Sequence, residues 1–166
     1  MSASSYEPTH EHEYHAIRSA AGLIDVSPLY KYRIRGRGAS ALADRVVTRD
    51  VEKLAVGQVY YTPWCDSAGK VRDDGTLHRL TKDDFRLTSA EPTLRWLHDN
   101  ATGLEVEIED ETDRVGALAL QGPASRDLLR EITEGDLDAL RFFRVMSTQV
   151  AGIPVEISRD LARLAA

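Results

Sequence analysis

Gln58-Val59-Tyr60-Tyr61-Thr62-Pro63-Trp64-Cys65, followed by Asp66-Ser67-Ala68-Gly69 and then by Val71-Arg72-Asp73-Asp74-Gly75-Thr76-Leu77-His78-Arg79-Leu80, is the stretch whose reading decides the fold. The first segment is rich in β-branched and aromatic residues, the composition of a strand, the third is a further candidate strand, and the link is made of residues that favour turns. A second turn, Thr81-Lys82-Asp83-Asp84, leads into Phe85 to Ser89. Three strands joined by two short turns predict an antiparallel meander.

Working outward from the meander, Tyr30 to Arg35 alternates Tyr30, Tyr32 and Ile34 with Lys31, Arg33 and Arg35, the period of a half-buried strand. Ala39, Leu42, Ala43 and Val46 mark the apolar stripe of a helix reaching about Val47, entered through Gly36-Arg37-Gly38. Nearer the start, Thr9 is placed to cap a helix through about Ala21, with Glu11 and Glu13 in its first turn and Gly22 ending it. On the other side of the meander, Glu91 to Asn100 reads as a helix with Pro92 in its first turn. Glu105, Glu107 and Glu109 alternate with Val106 and Ile108 as a strand with one wet face, and Val115 to Leu120 reads as a fully apolar strand. Pro123 opens a helix carrying Leu128, Leu129 and Ile132; Phe142 to Val150 and Ile153 to Ile157 are two strands joined around Gly152. The fold class is therefore α+β, antiparallel strands flanked by helices. Residues 1 to 8 read as a flexible tail, and no repeat or boundary divides the rest of the chain.

Composition narrows the function. A chain of 166 residues with 42% hydrophobic content can bury a core. A net charge of −6 argues against a phosphate-backbone binder, which needs clustered Lys and Arg. Cys65 is the one cysteine, so no internal disulfide forms and a reducing cytoplasm is expected. Met1 to Thr9 lacks the basic and apolar segments of a signal peptide, and no apolar run reaches membrane-spanning length.

Candidate chemistry concentrates in Gly69 to Gly75. Two adjacent carboxylates, Asp73 and Asp74, interrupt a strand, where Asp is disfavoured, and strand neighbours point to opposite faces, so at most one of them faces a given pocket. From composition alone a turn or bulge with solvated aspartates, helped by Gly75, is the favoured explanation of the pair. Elsewhere the simpler explanations prevail. His10, His12 and His15 lack the i, i+4 spacing that stacks two imidazoles on one helical face, so no metal is assigned. Gly36-Arg37-Gly38 is too short a match for an anion cradle. Glu105 to Glu111 lacks the oxygen spacing of a calcium loop, and Cys65 reads as a packed thiol within a strand.

Five stretches taken in order resemble the glycine-cleavage T-protein family of tetrahydrofolate-dependent aminomethyltransferases, methyltransferases and demethylases. They are Ala21-Gly22-Leu23-Ile24-Asp25-Val26-Ser27, Thr48-Arg49-Asp50-Val51, Gly57-Gln58-Val59-Tyr60-Tyr61-Thr62, Gly69 to Leu77, and Ala117-Leu118-Ala119-Leu120-Gln121-Gly122-Pro123-Ala124. The resemblance covers the chain from about Tyr6 to Arg159 and implies the folate-binding part of that fold over residues 9 to 159, incomplete, with an atypical end at residues 160 to 166. It implies tetrahydrofolate as cofactor, Asp74 as the catalytic carboxylate beside the reacting amine, and Tyr61 lining the same pocket. Tyr60, Val71, Asp73, Ser89 and Arg159 are further binding candidates. Ser89-Ala90-Glu91 stands where the family commonly has an asparagine-containing segment, and Asp73-Asp74-Gly75-Thr76 lacks the usual apolar residue after the pair, which suits a demethylase-like relative. The donor implied is a methylated or aminomethylated small molecule or a lipoyl protein. Only the first half of the family's length is matched, so the expected partner is a second chain supplying the rest, or a copy of itself. The alternative expectation is a non-catalytic folate-binding or assembly subunit that needs a second chain.

Overall fold

The computed structural model describes residues 10–159. In chain order it comprises α1 (His10–Ser19), β1 (Gly22–Asp25), β2 (Tyr30–Arg35), α2 (Ala39–Val46), a 3-10 turn (Val51–Lys53), β3 (Gln58–Cys65), β4 (Val71–Thr81), β5 (Asp84–Ser89), α3 (Leu94–Asn100), β6 (Glu107–Asp110), β7 (Leu118–Gln121), α4 (Ser125–Ile132), β8 (Thr133–Glu134), β9 (Val145–Val150) and β10 (Ile153–Ser158). The meander is present as β3, β4 and β5, and β2 and β6 extend it into an antiparallel sheet of order β3-β4-β5-β2-β6. Two smaller sheets accompany it, β1-β7 and β10-β9-β8.

Alternation gives the large sheet two unlike faces. Tyr60 and Trp64 of β3, Leu77 of β4, Phe85 and Leu87 of β5, and Tyr32 and Ile34 of β2 form one core with Leu42, Ala43 and Val46 of α2, with Leu97 of α3, and with Val51 and Leu54. The opposite face carries the charges. Arg33 Nε donates to Asp84 at 2.5 Å, Arg86 to Glu111 at 3.0 Å and Arg35 to Glu109 at 3.2 Å. Arg86 also pairs with Glu156 of β10, tying the small sheet to the large one. Lys31 and Arg33 of β2 are thus covered rather than wet, while Arg35 stays partly exposed: Lys31 is 2% exposed, its ammonium donating to the carbonyls of Ser27 (2.9 Å) and Leu29 (2.8 Å). Burial holds its pKa below the usual lysine value.

Several boundaries differ from the sequence expectation. Thr9, the tail at residues 1 to 8 and the end at residues 160 to 166 lie outside the described residues. Helix α1 stops at Ser19, and Gly22 opens a strand instead of only closing a helix. Helix α3 starts at Leu94, beyond Pro92, because residues 89 to 93 are held as a turn: the Ser89 and Thr93 hydroxyls both donate to the Glu91 carbonyl, and the Thr93 N–H bonds the Tyr32 hydroxyl. The apolar run from Val115 pairs only from Leu118, since the Val115 N–H turns back to Glu111. Helix α4 begins at Ser125 and buries none of its residues, so its stripe has no core to meet among the described residues.

Candidate functional site

The β3–β4 ladder positions the two residues of greatest interest. Tyr61 pairs with Thr76 and Asp74 with Pro63, so Tyr61 and Asp74 are diagonal neighbours on the sheet face opposite the core. The Tyr61 hydroxyl donates to Asp74 Oδ2. Both side chains are exposed, presenting a carboxylate with a fixed phenol beside it on an accessible surface. That hydrogen bond raises the Tyr61 pKa, with slight burial and the negative charges of Asp74 and Asp73 adding in the same direction.

Asp73 points the other way. Its Oδ1 accepts from the Asp74 N–H at 2.8 Å and its Oδ2 from the Glu91 N–H at 2.9 Å, so its carboxylate fastens β4 to the turn after β5. Gly75 has a steric reason: a Cβ there would lie 1.8 Å from the Thr88 carbonyl oxygen. The adjacent aspartates are consecutive positions of a regular strand, not a solvated turn.

The structure brings Tyr61 and Asp74 together and separates them from the other candidates. Tyr60 is buried on the core side with the Arg49 guanidinium 3.7 Å from its ring centroid. Ser89 is 1% exposed and its hydroxyl serves the Glu91 carbonyl. Val71 is exposed at the start of β4. Arg159 follows β10, where its guanidinium donates to Leu140 O at 3.3 Å and lies 4.9 Å from the Phe142 ring. Tyr60, Asp73 and Ser89 therefore face away from the surface that carries Asp74, because they occupy the alternate positions of their strands.

Sequence reasoning passed over Thr76 and His78, which share the face of Asp74 and whose side chains stand 3.2 Å apart, Oγ1 to Nε2. Counting in steps of two from Asp74 finds both. Two open surface clefts lie away from the pair: one of about 510 Å³ borders Arg37, Ser40, Arg79 and Lys82, and another of about 370 Å³ borders Arg72 and Trp96. Tyr61 and Asp74 stand on an open sheet face, outside both clefts. Cys65 sits half-buried just beyond a bulge in β3. Among the described residues no three His, Cys, Asp or Glu side chains are grouped to hold a metal ion, and no helix is long and apolar enough to cross a membrane.

Residues 2–160 match the family described as the GCVT N-terminal domain. An aminomethyltransferase of Thermoanaerobacter sp. (strain X514) is 36% identical over 152 residues, and one of Geobacillus thermodenitrificans (strain NG80-2) 37% identical; each alignment covers 89% of this chain and 41% of the relative. The chain thus spans about two fifths of the length of the curated relatives it matches. Among solved structures, the glycine cleavage system aminomethyltransferase T of Bartonella henselae superposes with a TM-score of 0.71 at 24% identity, covering 83% of this chain and 38% of that one. A chain of the heterotetrameric sarcosine oxidase of Corynebacterium sp. U-96 gives 0.62, also at 24% identity, covering 89% of this chain and 76% of that one. Both likenesses are of fold.

Proposed function

This chain belongs to the GCVT N-terminal domain family, and on that premise we propose that it serves tetrahydrofolate-dependent one-carbon transfer, aminomethyl or methyl, as a subunit or fragment of a T-protein-like enzyme of the cytoplasm. The observation that carries the proposal is the Tyr61–Asp74 pair on an accessible sheet face. An exposed carboxylate whose orientation is fixed by a phenol suits a ligand nitrogen that is cationic or becomes so. Tetrahydrofolate, when bound, supplies the nitrogen that receives the one-carbon unit. Asp74 would hold that nitrogen and steady its positive charge, or take up its proton, and Tyr61 would keep one carboxylate oxygen in place. Tyr60, Asp73 and Ser89 would support the ladder from the core side rather than touch the ligand.

The donor is a methylated or aminomethylated small molecule, or an aminomethyl group on a lipoyl protein, and the partner is a second chain supplying the rest of the relatives' length, or a copy of this one. Calorimetric titration of the 166-residue chain with tetrahydrofolate tests the site. Binding by the unaltered chain that weakens at least tenfold, about 1.4 kcal/mol, in Asp74→Asn supports it; equal binding by the two overturns the role of Asp74.

A non-catalytic folate-binding or assembly subunit is the second reading. It is favoured by one observation: this fold accounts for 76% of a chain within a heterotetrameric protein in which it is one subunit among others. Folate binding without turnover in the assembled complex would select it.

A further inference from the structure

Asp74 and Thr76 point to the same sheet face from positions two residues apart on β4, about 6.5 Å along the strand. Tyr61 of β3 stands opposite Thr76 on one side and Thr88 of β5 on the other, so Thr76 is the centre of a row across three strands. It is only half-buried, and a ligand that is held at Asp74 and extends along β4 covers it. The role of its hydroxyl is tied to a neighbour. Oγ1 lies 3.2 Å from Nε2 of His78, the next residue of this face. A hydroxyl has one proton to give, and an imidazole nitrogen either gives one or takes one. When Nε2 carries a proton it donates to Oγ1, and the Thr76 proton is left for a ligand acceptor. When Nε2 is bare it takes the Thr76 proton, and the hydroxyl can then only accept. The charged ring, protonated on both nitrogens, permits the first arrangement alone. Across from His78, β3 presents the uncharged Val59 and β5 the guanidinium of Arg86. That guanidinium is met by Glu111 and by Glu156 of β10, and the charge that β4 itself adds to this face is Asp74.

We propose that Thr76 is a specificity-determining residue of the Asp74 site, donating to a ligand carbonyl, and that His78 is a positioning residue that sets the hydrogen-bond polarity of Thr76 and so makes carbonyl recognition depend on pH. The inference rests on the one-carbon-transfer reading and deepens it. The reduced pterin of tetrahydrofolate carries a ring carbonyl beside a nitrogen that receives the one-carbon unit, so Asp74 and Thr76 read two neighbouring ligand atoms. Protonated His78 commits Thr76 to donation. As the ring loses its proton the competing arrangement appears, the Thr76 proton turns to His78, and affinity for the carbonyl ligand falls.

The test is calorimetric titration of the 166-residue chain with tetrahydrofolate, free of oxygen, at a series of pH values from about 6 to about 8.5, the range in which histidine changes charge. Affinity of the unaltered chain is expected to fall by about threefold or more as the pH rises, the weight of part of one neutral hydrogen bond. His78→Gln keeps an amide near the place of Nε2 but cannot titrate, and its profile should be flat. Thr76→Val, of the same shape and well suited to a strand, should bind more weakly at the low end and also be flat, while Thr76→Ser should restore both affinity and slope. His98→Gln, at an exposed position of α3 across the core, should leave the slope as it is. A purely structural role for His78 would lower affinity at every pH without flattening the profile. Binding that is weakened by Asp74→Asn but whose slope is absent, or survives in His78→Gln or Thr76→Val, overturns this proposal and leaves the one-carbon reading standing. No binding by the folded, unaltered chain at any pH overturns both.

Discussion

Tyr61 stands opposite Thr76 across the β3–β4 ladder, yet its hydroxyl donates to Asp74, two residues nearer the start of β4. This diagonal bond joins the titration of the phenol to the charge of the carboxylate. The folded-state pKa of Tyr61 is raised, so the stability contributed by its protonated form is present below the ordinary tyrosine range and is lost as pH climbs through the raised value. Difference absorbance between the unaltered chain and Tyr61→Phe isolates this one of six tyrosines. In the Asp74→Asn background its midpoint should move down toward the ordinary value; an unmoved midpoint would mean that the bond does not set it.

The adjacent aspartates should separate stability from binding. Asp73→Ala removes the acceptor of two backbone N–H groups and is expected to cost about 1 kcal/mol in urea unfolding. Asp74→Ala, at an exposed position, should stay within about 0.5 kcal/mol of the unaltered chain. The order of their effects on folate binding should be the opposite.

Gly75→Ala should be among the costlier single-methyl changes in the chain. The added carbon would meet the Thr88 carbonyl oxygen at 1.8 Å, and a backbone atom in a paired strand cannot swing aside as a side chain would. A loss of about 2 kcal/mol or more is expected, read from the urea midpoint. A neutral result would show that β4 and β5 separate there at little cost.

Arg86→Met tests what fastens the small sheet. Arg86 bridges Glu111, itself nearly buried, to Glu156 of β10. Among the described residues, removing it leaves Glu111 with only the longer contacts to Arg33 (4.0 Å) and Arg35 (3.8 Å). A cost of about 2 kcal/mol follows, discounted for those remaining partners. Glu156→Gln, half-exposed, should cost less but speed limited proteolysis between Val145 and Ser158.

Much of the large sheet was legible because its pattern is strict. Period-two alternation in Tyr30 to Arg35 located β2 to the residue, and turn composition placed the two links of the meander. The same rule, applied to Asp73 and Asp74, foretold that only one could face a site; extended to Tyr60 and Ser89, it assigns both to the core, away from the surface the family resemblance implied for them. Other features escaped because sequence does not state what covers a face. The arginines of β2 read as half-buried strand positions, but acidic partners as distant as Glu111 and Glu156 bury them or their neighbours. Leu118 and Leu128 read as core and are exposed, since an apolar stripe records the need for a partner and not where that partner lies. Four-residue β1 is too short to carry any period.

Tyr61 and Asp74 are thirteen positions apart, on strands that are consecutive in the chain and joined by one tight turn. The pair is consequently a local property of the polypeptide: closing it requires a short loop, not the meeting of distant segments. A gene interrupted, fused or rearranged anywhere outside that hairpin would inherit the pair whole, and what it could gain or lose is the company the pair keeps.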